Sequence, residues 1–270
     1  MRNLNRASHA ASARKCAYNP GMDWESPAIL LTTRAFAEAD LIATAFTEAE
    51  GRHAGLVHGG QSRRHAALWQ AGNLLHLRWS GRVADNLGSF SAELAHPTAA
   101  LAIGCADALA ILVAALAVAD GILPERTPHP RAFAALLRVV ASLSDPPIAL
   151  SALIGFELTL LAELGFGLDL TRCALTGTSA DLRYVSPRTG RAVSADAGAA
   201  WATRLLALPR FLAGGNHPPT AEDLADGLRL TGHFLARDAF GANHRSLPSA
   251  RLALYQRLTR HQPKDPTKHD

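Results

Sequence analysis

The sequence predicts an α+β protein: a five-stranded barrel at the N-terminus, then an all-α domain interrupted by a small irregular insert. Three observations predict it. Residues 24–95 hold short apolar runs separated by turn residues. From Pro97 onward the runs lengthen and take helical spacing, and Phe166 to Gly198 is polar, glycine-containing and unpatterned. At 270 residues and 48% hydrophobic content, the chain can bury sizeable cores and is not of the disordered class.

The elements follow in order. Residues 1–21 carry Arg2, Arg6, Arg14 and Lys15 with no acid and no continuous apolar stretch, and read as a disordered leader. Residues 22–97 form the barrel domain. Its strands are expected at Ala28–Thr33, Leu41–Phe46, His53–His58, Leu74–Trp79 and Leu87–Leu94. The fourth alternates cleanly: Leu75, Leu77 and Trp79 point one way, His76 and Arg78 the other. Turns fall at Glu48–Gly51, Gly59-Gly60, Ala71–Asn73 and Ala84–Asn86. Five short strands in so short a stretch fit an OB-type barrel, a fold that commonly binds oligonucleotides.

Residues 98–260 form the helical domain. Pro97 opens an alanine-rich helix ending near Asp120-Gly121. A membrane span over Ala99–Ala119 is disfavoured, because Asp107 near its middle costs about 2.5–3.5 kcal/mol on insertion. After a Pro-rich linker (Pro124, Pro128, Pro130), helices are expected over Arg131–Ser144 and Ala149–Leu164. The latter is capped by Gly165. The insert, about 166–198, comes next, and then helices at Ala199–Leu206, Ala221–Phe240 and Ser249–Arg260. Thr220 with Asp223 makes a capping-box start for the second of these. Residues 261–270 read as a disordered tail.

The charge pattern carries the functional signal. The formal net charge is +4, which the first 21 residues alone supply, so any affinity for a polyanion must come from a local patch. Gly51 to Ala84 is such a window: it holds Arg52, Arg63, Arg64, Arg78 and Arg82, four histidines, and no Asp or Glu. Arginines without carboxylate partners suit a nucleic-acid backbone, since the planar guanidinium grips phosphate oxygens with two hydrogen bonds.

Arg34, Arg52, Arg63, Arg64, Arg78 and Arg82 are therefore expected to line one DNA-facing side of the barrel. Trp69, beside the Arg63-Arg64 pair, is a base-stacking candidate, whereas Trp79 falls on the core face. Against this, residues 22–98 contain eight acids and six arginines, which leaves room for a barrel that binds protein and not DNA.

No catalytic signature is present: there is no Walker A loop, no GxGxxG after a strand, no HExxH and no Gly-x-Ser-x-Gly. Glu157 and Glu163, six residues apart, do not share a helix face and read as salt-bridging or capping residues. Cys16, Cys105 and Cys173 form no CxxC pair, which argues against a disulfide framework and suits a reducing compartment.

Three stretches, in the right order, resemble one family. Phe46–Arg52 followed by Gly55–Arg64 is similar to the N-terminal signature of the RecO family of bacterial recombination mediators. Phe156–Leu170 with Cys173 resembles that family's central helix and the start of its zinc-ribbon-like insert, and Leu247–Arg251 its C-terminal "LPS-R" stretch. Met22-Asp23-Trp24 is similar to the usual family start.

The resemblance implies an OB fold followed by a helical domain, with binding of single- and double-stranded DNA and annealing of complementary strands. It further implies help in loading a recombinase onto strands coated by single-strand-binding protein. Implied partners are RecR and the acidic C-terminal tail of that protein, with no catalytic residue, no membrane and a cytoplasmic, nucleoid-associated location. Arg126, Arg131, Arg138 and Arg172 are candidate rim residues for the tail.

The sequence departs from the family at the metal site. Of four thiol positions, Cys173 keeps one, while Thr176, Ser194 and Ala197 stand at the others, so no zinc and no other cofactor is expected. The insert must then be held by packing and hydrogen bonds, with Tyr184 and the Pro187–Gly190 turn as candidates.

Overall fold

The computed structural model describes residues 22–81, 87–215 and 218–260. The leader, the tail and Arg82 lie outside them, as does the expected Ala84–Asn86 turn. Five strands close a barrel in the order β1-β2-β3-β5-β4: β1 (Met22–Phe36), β2 (Asp40–Thr47), β3 (Gly51–Val57), β4 (Leu74–Gly81) and β5 (Ser89–His96). All neighbours are antiparallel except β3 and β5, which meet in parallel at Leu56 and Ser89. This is the five-stranded OB architecture expected from the sequence.

Alternation sets the interior. Ala28 and Leu30 of β1, Leu41, Ala43 and Ala45 of β2, and Val57 of β3 point inward. Leu75, Leu77 and Trp79 of β4 and Phe90 of β5 complete the lining, as the period-2 pattern of β4 foretold.

Residues 58–73 run as a series of turns between β3 and β4. Trp69 closes one end of the barrel from this segment and is only 6% exposed. Asn73 ties the same segment to the next domain: its amide donates to the Ala67 and Leu68 carbonyls and accepts from the Ala99 N–H. The Ala99 donor is one of those that a helix start leaves without an intrahelical partner.

The expected single alanine-rich helix is two: α1 (Thr98–Ile103) and α2 (Ala106–Ile122). The chain leaves the helix at Cys105, which is extended, and Asp107 in the first turn of α2 pairs with Arg257 at 2.6 Å. Then come α3 (Pro130–Ala141) and α4 (Pro146–Glu163). The Asp145-Pro146-Pro147 sequence starts α4. Asp145 caps the Ile148 N–H, and Pro146 occupies the first helical position, where it loses no hydrogen bond. α4 is long and apolar enough to cross a membrane by length and composition alone. Here its Leu153, Ile154, Phe156 and Leu160 are buried in the core of the helical domain.

The insert is more regular than its sequence suggests. It forms a small sheet of β6 (Leu182–Val185), β7 (Ala192–Ser194) and β8 (Leu206–Ala207), in the order β7-β6-β8. The helix expected at 199–206 is replaced by a single turn, α5 (Ala195–Gly198), a 3-10 stretch (Ala199–Arg204) and β8. Tyr184 lies directly against Gly198, where a Cβ would come within 2.6 Å of its ring. Of the long helix expected over 221–240, α6 covers Ala221–Phe234 with the capping box in place, and a π turn continues it to Phe240. α7 (Ser249–Arg260) ends the described chain.

The two domains share a core. Ile29, Leu31 and Phe46 point out of the barrel into the helical cluster, where Phe46 meets Phe133 edge-on at 5.5 Å. At Gly51 (φ +68) the Thr127 carbonyl lies 2.1 Å from where a Cβ would be, so only glycine permits the contact.

Candidate nucleic-acid interface

One groove of about 580 Å³ lies on the outer face of β1-β2-β3, where the linker between α2 and α3 approaches the barrel. Thr32 and Arg34 of β1, Ile42 and Thr44 of β2, and Arg52 and Ala54 of β3 form its barrel side. Asp120 at the end of α2 and Glu125 and Arg126 of the linker close it. This is the strand face that OB folds present to oligonucleotides.

The structure divides the predicted arginines into three groups, and the expectation of one DNA-facing side is corrected. Arg34 is exposed in the groove and has no carboxylate partner among the described residues. Arg52 is in the groove but engaged: its Nε donates to Asp120 at 2.9 Å and its Nη1 to Glu125 at 3.0 Å. The Arg126 N–H donates to the Arg52 carbonyl at 2.8 Å. Within the acid-free window, Arg52 is thus neutralised by acids 68 and 73 residues away, and it clamps the domains together.

Arg78 lies on another face, in a second hollow with His76, Glu25 and Glu93. It is paired with Asp23 at 3.2 Å and Glu25 at 3.5 Å. Glu25 and Arg34 are nine residues apart on β1, about 30 Å of strand. Arg82 falls outside the described residues.

Arg63 and Arg64 are exposed and carry no carboxylate partner among the described residues. Their segment is anchored. Gln61 Nε2 donates to the carbonyls of Asp40 (2.6 Å) and Ala37 (3.3 Å), and the Gln61 N–H donates to that of Ala39 (3.0 Å). The Gly59 N–H donates to Asp40 at 2.8 Å, with His58 also on that carboxylate, and together they hold it below the usual carboxylate range. Gln61, two residues before Arg63, therefore ties this segment to the β1–β2 hairpin tip, which begins three residues beyond Arg34.

Trp69 is core, so its stacking role is also corrected: the ring that would have met a base fills the barrel end. Trp24, Trp79 and Phe90 pack around His53 inside the barrel, with ring centroids 5.1 to 6.2 Å from it. His53 is 5% exposed, and neither ring nitrogen has a partner. Burial, then the Arg126 charge, pushes its pKa down to about 4 against a smaller opposing pull from Glu125. It stays neutral at physiological pH.

The four candidate rim arginines do not gather on one surface. Arg126 belongs to the barrel groove. Arg131 and Arg138 share the exposed face of α3, and Arg131 leans on Glu163 at 3.6 Å. Arg172 is exposed in the insert. A separate apolar groove of about 480 Å³, between the barrel and α1-α2, is lined by Leu31, Ile103, Leu109, Leu112, Val113 and Leu116, with none of the four on it.

In the insert, Cys173 accepts from the Ser194 N–H at 3.3 Å and its hydroxyl at 3.5 Å. Burial disfavours the thiolate, but hydrogen bonds from Ser194 and Thr176 outweigh it and lower the thiol to about 6. One thiol, two hydroxyls and a methyl group are not a donor set that fits a four-thiolate zinc. The Pro187 carbonyl accepts from His233 (3.0 Å) and from Arg237, which docks the β6–β7 turn onto α6 and its π turn.

Sequence reasoning missed two features. One is the partner of Glu157, which was read as salt-bridging: Glu157 is fully buried and receives Arg251, also buried, at 2.5 and 2.9 Å. The central-helix and "LPS-R" stretches that carry the family resemblance thus meet in space. The other is Phe36, a half-exposed aromatic at the hairpin tip. The phase of Thr32, Arg34 and Phe36 along β1 is the signal that could have found it.

An OB barrel carried on a helical domain with a small β insert is the class this architecture defines. The family model described as "Recombination protein O N terminal" matches residues 22–98, and "Recombination protein O C terminal" matches 106–248. The DNA repair protein RecO of Acidiphilium cryptum is 53% identical over 242 residues, covering 88% of this chain and 96% of that protein. Its namesake from Gluconacetobacter diazotrophicus is 50% identical over 247 residues, covering 90% and 97%. That from Granulibacter bethesdensis is 50% identical over 242 residues, covering 88% and 96%. The chain belongs to the RecO family of DNA repair proteins.

Proposed function

We propose that the protein is a recombination mediator that binds single- and double-stranded DNA, anneals complementary strands and helps load a recombinase onto strands coated by single-strand-binding protein. The observation that carries this reading is the placement of unpaired cations: Arg34 in the β1-β2-β3 groove, and Arg63 and Arg64 on the segment anchored beside it. Annealing needs no catalytic group. It needs neutralisation of two mutually repelling backbones and contacts that release easily, which arginine–phosphate pairs supply. RecR and the acidic tail of the single-strand-binding protein are the proposed partners. The apolar groove beside α1-α2 and the exposed face of α3 with Arg138 are the surfaces available to the tail.

The double substitution Arg63→Ala/Arg64→Ala tests the reading. Affinity for single strands is expected to fall, and the slope of log K against log salt to become shallower by about 1.4, or 0.7 per lost phosphate contact. The far-UV spectrum is expected to stay unchanged, because both side chains are exposed. Unaltered affinity at low salt would remove this segment from the interface. Failure of the unsubstituted chain to bind any oligonucleotide at low salt would favour the protein-binding scaffold instead, which the pairing of Arg52 and Arg78 with acids supports.

We also propose that the insert folds without metal. Elemental analysis of the purified chain is expected to give far less than one zinc per molecule, and chelator is expected to leave the thermal midpoint in place. A stoichiometric zinc content would refute this.

A further inference from the structure

We propose that Phe36 is a base-stacking platform for single-stranded nucleic acid, with Arg34 and the Arg63-Arg64 pair holding phosphates on either side of it. This rests on the DNA-binding reading above and adds to it a preference for unpaired bases.

Three observations converge on Phe36. Along β1, Thr32, Arg34 and Phe36 occupy alternate positions and so share the outer face, and the first two line the groove. Phe36 is 47% exposed, while Phe46, Trp69, Trp79 and Phe90 are all buried and Trp24 is packed against Trp79 and His53. Among the described residues of the barrel, Phe36 is thus the one phenylalanine, tyrosine or tryptophan that is exposed.

The third observation is what surrounds it. The next residue, Ala37, offers its carbonyl to Gln61, so the segment bearing Arg63 and Arg64 is anchored to the hairpin tip that follows Phe36. An exposed aromatic ring two residues along the strand from an unpaired guanidinium, with two more on the anchored segment, offers what single-strand sites use: a π-face for the base and cations for the backbone. Of the acids at the hairpin tip, Asp40 accepts from Gly59 and His58, and Glu38 is exposed. A base held in a duplex cannot offer its face to Phe36, so the contact reads strandedness and not sequence.

The test compares the full chain with Phe36→Ala, Phe36→Trp and Arg34→Ala, using a labelled thymine oligonucleotide and a labelled duplex at several salt concentrations. Phe36→Ala is expected to weaken single-strand binding by about 5- to 20-fold, the lower part of what one base–aromatic stack supplies. It is expected to leave duplex affinity and the salt slope unchanged, because a stack releases no counterion. Phe36→Trp is expected to restore single-strand affinity, whereas Arg34→Ala weakens both ligands and flattens the slope.

Single-strand affinity within twofold of the parent in Phe36→Ala, alongside a loss in Arg34→Ala, would overturn the stacking role and leave the DNA-binding reading standing. Equal losses on single strands and duplex in Phe36→Ala would also overturn it. Absence of binding by the parent chain would overturn both.

Discussion

Arg251→Ala is expected to destabilise the protein by about 3–5 kcal/mol, because it strands the Glu157 carboxylate in the core. The Arg251 guanidinium bonds both carboxylate oxygens and also reaches the Leu228 carbonyl at 2.8 Å and the Thr231 hydroxyl at 3.2 Å. Thr231 in turn donates to Glu157. One cluster therefore joins α4, α6 and α7, and removing the cation leaves an acceptor with no solvent to turn to. A chain of this size is expected to lose roughly 6–20 °C in Tm.

The double substitution Glu157→Leu/Arg251→Met is expected to recover much of that loss, since apolar groups of similar volume avoid both desolvation costs. Thermal denaturation of the two variants checks it. A single-variant cost below about 1 kcal/mol would mean that the carboxylate is not confined as described.

The second large effect is on pH dependence. His53 has a folded pKa of about 4 and an ordinary unfolded value of 6.5. The lowered value means the folded state resists a proton that the unfolded chain accepts. The stability it contributes is complete above pH 6.5 and is lost as pH falls from 6.5 toward 4. The loss is roughly 2 kcal/mol by pH 5 and roughly 3 kcal/mol by pH 4. His53→Leu removes the titration and two unpartnered ring nitrogens, and its urea midpoint is expected to fall less than the parent's between pH 7 and pH 5. Parallel losses in both chains would contradict the assignment of this pH window to His53.

Much of the fold was legible because it rests on local rules. The alternation of β4 named its buried face, and Thr220 with Asp223 marked the start of α6. The break between α1 and α2 was not legible, because apolar residues continue on both sides of Gly104-Cys105. Nor was the plugging role of Trp69, since a tryptophan in a turn-rich segment looks the same whether it seals a barrel or faces solvent.

The site was harder to read because charge pairing is non-local. Arg52 finds its acids at the end of α2 and in the α2–α3 linker, and Arg251 finds Glu157 at a separation of 94 residues. Arg34 was legible as a cation, but its row with Phe36 required knowing that β1 runs on to residue 36.

The central claim is that the groove face of the barrel contacts a nucleic-acid backbone through Arg34. Fluorescence anisotropy of a labelled single strand, titrated with the full chain and with Arg34→Ala from low to moderate salt, tests it most directly. The account predicts binding that weakens steeply with salt, and a slope about 0.7 shallower in Arg34→Ala. Binding with identical slopes in the two chains would place the backbone elsewhere and contradict the groove.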